Sequence, residues 1–181
     1  MNNEELMVIE GYNILIKHRE NKKGGGVGLY IDSELKFEPA FELNQFGTAA
    51  FESLFANVEL SPGNTIMVGV IYRPPGGNIG QFNDGFDTMW STIKSCCNKI
   101  LLTGDFNINL PNHDSHCEID AFLNMMYNNR CYPVTTSPTR FSNNGSTLID
   151  NIFTSCLEEN YQSGVLINDI SDHLPVFYDE L

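Results

Sequence analysis

Four short stretches of this sequence carry side chains able to act together. Gly104-Asp105-Phe106-Asn107 sets a carboxylate and an amide two residues apart, and residues two apart on an extended path point the same way. Converging on one spot, they suit the handling of water, a metal ion or a phosphate. Ser171-Asp172-His173 joins an aspartate to a histidine, Ser146-Thr147-Leu148-Ile149-Asp150 places an aspartate among strand residues, and Tyr72-Arg73 closes an apolar run. A catalytic histidine needs a partner on its second ring nitrogen, and a distant aspartate is a common one; Asp150 is the candidate partner of His173. Asp172 points away from His173 if both are extended, which frees it for a divalent cation, since hard cations such as magnesium take few carboxylates plus waters. Singly, each residue also has an ordinary structural role as a strand-end carboxylate, a turn histidine or a buried tyrosine. Together they are hard to dismiss as turn chemistry.

The elements that position these residues follow from apolar periodicity. Residues 100–104 read as a fully buried strand ending at Asp105. Before it, apolar residues at Phe82, Phe86, Met89, Trp90, Ile93 and Cys97 recur at helical spacing, which predicts an amphipathic helix over 81–97 with its aromatic stripe in the core. A period of two over Leu54, Ala56, Val58 and Leu60, the turn Ser61-Pro62-Gly63-Asn64 and the run 65–72 predict an antiparallel hairpin. It stops at Pro74-Pro75, which cannot donate to a ladder. Residues 12–17 and 27–31 are a strand pair joined by a polar, glycine-rich turn, Gly24-Gly25-Gly26. No Gly-Lys-Ser/Thr follows, so this is no nucleotide P-loop. A shorter helix covers 118–127, and strands are expected over 148–153, 164–167 and 174–178. No repeat, linker or low-complexity tract interrupts the order.

With 181 residues, 41% hydrophobic and 18% charged, the chain suits one soluble domain with a sizeable core. No run is long enough to span a membrane. The acidic first ten residues lack the regions of a signal peptide, which favours an intracellular place, nuclear or cytoplasmic. A formal charge of −13 argues against broad adhesion to nucleic acid; a polyanion must be met by a cation or a local basic patch. The five cysteines are odd in number, with neither zinc-type C-x-x-C spacing nor a disulfide framework, and read as buried thiols.

Gly104-Asp105-Phe106-Asn107, Thr147-Leu148-Ile149-Asp150-Asn151-Ile152-Phe153 and Ser171-Asp172-His173-Leu174-Pro175-Val176 resemble, in order and spacing, three motifs of the endonuclease/exonuclease/phosphatase superfamily, the deoxyribonuclease-I-like fold. The finer texture is similar to the endonuclease domain of non-LTR retrotransposons: Gly11-Tyr12-Asn13, Lys23-Gly24-Gly25-Gly26-Val27, Phe51-Glu52-Ser53-Leu54, Ile71-Tyr72-Arg73-Pro74-Pro75 and Ser137-Pro138-Thr139-Arg140. The resemblance implies an α/β fold, a four-layer α/β/β/α sandwich of two mixed, mostly antiparallel sheets. It implies hydrolysis of DNA phosphodiester bonds with magnesium or manganese, and a reverse transcriptase domain in the full-length element. On that analogy Asp105 activates water or serves the leaving group, and Asn107 positions the phosphate or the nucleophile. His173, oriented by Asp150, stabilises phosphoryl charge; Asp172 helps bind the metal, and Tyr72 contacts the phosphate. Apart from the analogy, with only ten Lys and Arg in the chain, a few residues such as Arg73, Arg140, Lys17 and Arg19 would have to contact the phosphate backbone, Arg73 and Arg140 being the first expected.

The resemblance breaks at the start. The family places a strand ending in Asn, then a strand ending in a metal-binding Glu, more than ten residues before the Gly-Tyr segment. Here Gly11-Tyr12 follows Met1 almost at once, and Glu4, Glu5 and Glu10 are candidates by proximity alone. The expectation is therefore one domain over 1–181, N-terminally incomplete, lacking the first strand or two and one metal ligand, with weak catalysis at best. Two alternatives stand beside the endonuclease: an impaired fragment or pseudo-enzyme of the same fold, and a phosphatase of the same superfamily.

Overall fold

Apolar residues alternating along the first strands build a sheet with two unlike faces. The computed structural model describes residues 7–19, 25–46, 49–143, 145–157 and 160–180. Expectations placed on Glu4, Glu5 and the Lys23-Gly24 start of the glycine run lie outside these. In chain order the elements are β1 (Tyr12–His18), β2 (Gly26–Asp32), β3 (Lys36–Pro39), α1 (Phe41–Asn44), β4 (Glu52–Ser61), β5 (Asn64–Tyr72), α2 (Ile79–Cys96) and β6 (Ile100–Asp105). A 3₁₀ turn (Leu110–Ser115) leads to α3 (Cys117–Asn128), β7 (Tyr132–Pro133), β8 (Arg140–Ser142), β9 (Gly145–Thr147), β10 (Asp150–Thr154), β11 (Tyr161–Val165) and β12 (Val176–Glu180). Six strands form one sheet in the order β3-β4-β5-β6-β10-β7. Its single parallel step is β5 to β6, and every other pairing is antiparallel.

That parallel step needs a crossover, and α2 supplies it. Asn78 caps the helix, its side chain accepting from the Gln81 amide at 2.8 Å, just after the two prolines end β5. The buried stripe Phe82, Phe86, Met89, Trp90 and Ile93 packs with Phe122 and Met126 of α3 on Phe55, Met67, Ile71, Leu102 and Phe153 of the sheet. Large apolar side chains buried this fully contribute on the order of 1.5–3 kcal/mol each. Among the described residues, the three α-helices all lie on this side.

The opposite face is covered by hairpins. The β1–β2 hairpin packs Leu15, Leu29 and Ile31 over Ala56, Val58 and Ile66. The β11–β12 hairpin lies against β10, and Ser163 donates to the Val134 carbonyl at 2.8 Å. These hairpins are separate two-stranded sheets. Between them Val68, Val70, Leu101 and Thr103 stay half-buried. Strand β6 is therefore not buried on both faces as expected: Leu102 is sealed under the helices, while its neighbours face a thinner cover. The described residues supply a helical layer, a mixed sheet and a layer of hairpins, the mixed α/β class expected, with no helix seen beyond the hairpins.

The cysteines are all free; Cys131 and Cys156 are buried, but Cys96 and Cys117, at helix ends, are exposed. Burial pushes the Cys97 thiol up to about 11, so it stays protonated and inert. No helix among the described residues is long and apolar enough to cross a membrane.

One residue lets β6 pair with β5 next to the candidate site. Gly104 has φ +143, and a Cβ there would meet the Ile71 carbonyl oxygen at 1.9 Å. Only glycine can hold both that conformation and that approach. Gly104→Ala is expected to destabilise the protein by about 3 kcal/mol or more, measured as a shift in urea midpoint; a loss below about 1 kcal/mol would show that the pairing does not depend on it.

Candidate active site

Strand ends bring the candidate residues together. Asp105 closes β6, Asp150 opens the antiparallel β10, and the two are register partners. Tyr72 closes β5 and is the parallel partner of Asp105. Partners in adjacent strands share a face, so Tyr72, Asp105 and Asp150 stand side by side on the hairpin face. His173 arrives from the segment before β12. Thr139 and Leu174 strap that segment down, the Leu174 amide donating to the Thr139 carbonyl at 2.7 Å. The His173 Nδ1 lies 3.0 Å from Asp150 Oδ2 and 3.1 Å from Oδ1. An ionised carboxylate only accepts, so Nδ1 carries the proton and Nε2 is left for other work. The ligand-bearing atoms of Asp105, Asp150 and His173 lie within 4.8 Å of one another, all half-buried.

Asp105 and Asn107 do converge, but not by strand periodicity. The strand ends at Asp105 and Asn107 turns back with φ +48. Its backbone amide donates to Asp105 Oδ1 at 2.9 Å, and its side-chain Nδ2 donates to Asp105 Oδ2 at 2.9 Å and to the Arg73 carbonyl at 2.8 Å. The side-chain amide of Asn107 is thus engaged with the Asp105 carboxylate and the Arg73 carbonyl, rather than reaching for a phosphate. Burial first, and the facing Asp150 charge next, raise the Asp105 pKa, against the lowering pull of the Asn107 bonds and His173.

Two expected substrate contacts are used otherwise. Arg73 is 4% exposed. Its Nε donates to the Phe106 carbonyl and Nη1 to the Gly77 carbonyl, each at 2.7 Å, and Nη2 donates to the Asn107 carbonyl. The guanidinium is an internal brace because three backbone carbonyls surround it. Arg140 Nε donates to Asp172 Oδ2 at 2.9 Å, both side chains being largely exposed. Asp172 therefore sits apart from the cluster, and the hydrogen bond from Arg140 holds its carboxyl below the usual range. Of the proposed metal and catalytic residues, the structure brings together Tyr72, Asp105, Asn107, Asp150 and His173, and leaves Asp172 outside with Arg140.

Thr139 was not foreseen as part of the site. Fully buried, its hydroxyl donates to Asp150 Oδ2 at 2.7 Å and accepts from the Ile149 and Asp150 amides at 3.2 and 3.0 Å. It fixes the carboxylate that fixes the histidine. The Ser137-Pro138-Thr139-Arg140 run is its signal in the sequence, where the arginine reads more readily as functional than the threonine.

The model of the family described as Endonuclease-reverse transcriptase matches residues 66–177, which span the cluster. No curated protein matches the chain. Among solved structures, the endonuclease domain of TRAS1, a telomere-specific non-LTR retrotransposon, superposes with TM-score 0.72 at 12% identity, covering 95% of this chain and 81% of that one. The human Nocturnin catalytic domain gives 0.65 at 14% identity, over 99% and 75% of the two chains. A 3′ phosphatase, NExo from Neisseria, gives 0.63 at 16%, over 94% and 79%. At these identities the likeness is one of fold.

Two outcomes check the geometry. Arg73→Lys keeps the charge but cannot reach three carbonyls, and is expected to cost about 2–3 kcal/mol in urea denaturation; an unchanged midpoint would contradict the brace. The raised Asp105 pKa makes its ionised form unfavourable in the folded state. That penalty is absent at low pH, where the carboxyl is protonated in both states, and sets in as pH rises above the ordinary carboxylate range. The melting temperature of Asp105→Asn minus that of the parent should therefore rise between about pH 4 and pH 7. A flat or falling difference would show that burial does not penalise this charge.

Proposed function

Because the chain belongs to the endonuclease-reverse transcriptase family, we propose that it hydrolyses phosphodiester bonds in DNA as an endonuclease, at the cluster of Asp105, Asp150 and His173. The observation that carries this reading is the meeting of those three side chains, from segments far apart in sequence, within 4.8 Å. The texture of the sequence and the likeness to the TRAS1 domain support a finer reading: the nicking domain of a retrotransposon-like element, formed by residues 1–181, whose longer product carries reverse transcriptase.

The donor set fits a divalent cation. Two carboxylates face each other, and burial first, with the Asp150 charge next, raises the proton affinity of Asp105, a penalty that a cation between them would offset. Asp105 and Asp150 would hold the ion; oxygen donors suit magnesium, and the neighbouring imidazole admits manganese. Such an ion supplies charge neutralisation on the phosphoryl group and a more acidic water. The protein's own groups do the rest. Asp105 accepts the proton of the attacking water. The P–O bond to the leaving strand breaks as the bond from the water oxygen forms. His173, held through Nδ1 by Asp150, presents Nε2 to a phosphoryl oxygen, and in its protonated form donates to the charge that develops there. Tyr72, beside Asp105 on the same face, contacts the phosphate.

A second reading, an impaired enzyme that still binds DNA, is favoured by one observation. Both oxygens of Asp105 accept from Asn107, and Asp150 already serves Thr139 and His173, so few lone pairs remain for an ion. Nicking of supercoiled plasmid by purified protein in magnesium or manganese decides between them. The endonuclease reading expects nicking that chelation stops and that Asp105→Ala or His173→Ala lowers by about 100-fold or more. DNA binding with background nicking in the parent would move the protein to the second reading, and nicking indifferent to Asp105→Ala would end the first.

A further inference from the structure

The row of side chains across the sheet extends one strand beyond the candidate cluster. Glu52 opens β4 and is the register partner of Tyr72, as Tyr72 is of Asp105 and Asp105 of Asp150. Adjacent strands lie about 4.8 Å apart, so four side chains line one face over roughly 14 Å. His173 stands at the Asp150 end of this row. Arg19, which follows β1, stands at the other.

Three features hold Arg19 in place. Its Nε donates to Glu52 Oε1. Its guanidinium carbon lies 5.6 Å from the centroid of the Tyr72 ring, within the range of a cation–π contact. Gly25, at φ +91, backs it from another side: a Cβ there would come within 2.6 Å of the guanidinium carbon. The second Glu52 oxygen is buried with no hydrogen-bond partner, an unfavourable arrangement for a carboxylate that the neighbouring cation offsets. Arg19 keeps 28% of its side chain exposed. A guanidinium carries five N–H donors in a planar fork, more than one carboxylate oxygen and one phenol can take up.

The site needs such a group. The chain's charge is −13, the row itself carries three carboxylates, Arg73 is turned inward, and Arg140 is paired with Asp172. We propose that Arg19, positioned by Glu52 and the Tyr72 ring, is the phosphate-binding cation of this site, and that Arg19 and His173 hold neighbouring phosphates of one nucleic-acid strand from opposite ends of the row. This rests on the phosphodiesterase reading above and names its substrate-binding arginine. The planar fork matches two oxygens of one phosphate, and Glu52 keeps it aimed.

The sign of the Glu52 effect makes the test sharp. Glu52→Gln removes a negative charge, so bulk electrostatics alone would tighten binding to DNA; if Glu52 aims Arg19, binding weakens instead. The assay is anisotropy of a labelled 20-base-pair duplex on the Asp105→Ala background across a salt series, with melting temperatures recorded for every variant. Arg19→Gln should weaken binding about tenfold or more and reduce the slope of log affinity against log salt by about 0.9, the value for one lost phosphate contact. Arg19→Lys, which keeps the charge and spares the fold, should restore the slope but only part of the affinity. Glu52→Gln should weaken binding about three- to tenfold. Where the parent nicks plasmid, the Arg19 and Glu52 effects should fall on KM with kcat nearly unchanged. Unchanged affinity and slope in Arg19→Gln, or tighter binding in Glu52→Gln, would overturn the proposal, as would a parent that binds no duplex at low salt. If Asp105→Ala stops nicking while the Arg19 variants behave as parent, this inference alone falls. If Asp105→Ala nicks normally, the reading of the site falls instead.

Discussion

A buried guanidinium organises the site without entering its chemistry. Arg73 donates to the carbonyls of Gly77, Phe106 and Asn107, and its own backbone amide donates to the Asp105 carbonyl at 2.9 Å. Asn107 returns the contact, bridging the Arg73 carbonyl and the Asp105 carboxylate through one side-chain nitrogen. The end of β5 and the loop after β6 are thereby locked to each other from both directions. Burial lowers the Arg73 pKa, and the nearby Asp105 charge opposes that shift. A cation this deep is tolerated because its donors are met, and removing one partner of such an arrangement typically costs 3–5 kcal/mol. The position of Asp105 is thus held twice, by the register of the strand it ends and by the brace on the Phe106 and Asn107 carbonyls just after it.

The layout follows from one parallel pairing. Because β5 and β6 run the same way, both end at the same edge of the sheet, where side chains leave the ladder together. Gly104 permits the close approach of the Ile71 carbonyl there. The antiparallel β10 then starts at that edge and adds Asp150. No long-range adjustment of loops is needed to align Tyr72, Asp105 and Asp150; register does it. Loops enter only to bring His173, and there the strapping of residues 139–141 against 172–174, with the Thr139 hydroxyl under Asp150, does what register cannot.

Most of this was legible in the sequence where local pattern dictates structure. The β4–β5 hairpin, the aromatic stripe of α2 and the inward residues of α3 follow from periodicity and turn chemistry, since their burial depends on spacing alone. The Asp150–His173 pairing followed from the needs of an imidazole. Other features were not legible, because they depend on tertiary neighbours. Nothing in Tyr72-Arg73-Pro74 says that three carbonyls await the guanidinium; a basic residue at a strand end reads equally well as a surface contact. Arg140 and Asp172 lie far apart in the chain, and only the antiparallel strap between their segments pairs them. The half-exposed middle of the hairpin face depends on two hairpins forming separate sheets, a question of packing that a fully apolar strand such as 100–104 cannot answer.

The electrostatics of the face tie these observations to its chemistry. Carboxylates at Glu52, Asp105 and Asp150 stand in one row on an already acidic protein, which by itself repels a phosphate. Each is treated differently by its surroundings. Glu52 hydrogen-bonds Arg19, Asp150 hydrogen-bonds His173 and Thr139, and Asp105 takes its hydrogen bonds from the neutral amides of Asn107, with His173 and Arg73 acting on it through their charge. Negative charge therefore weighs most in the middle of the row, where burial and the neighbouring Asp150 raise the proton affinity of Asp105. A base, or a ligand for a divalent cation, belongs at such a position, between Arg19 and His173 rather than beside one of them. The same arrangement explains why a chain with so few basic residues need not present a basic surface: the attraction a phosphodiester requires can be confined to the ends of a single row.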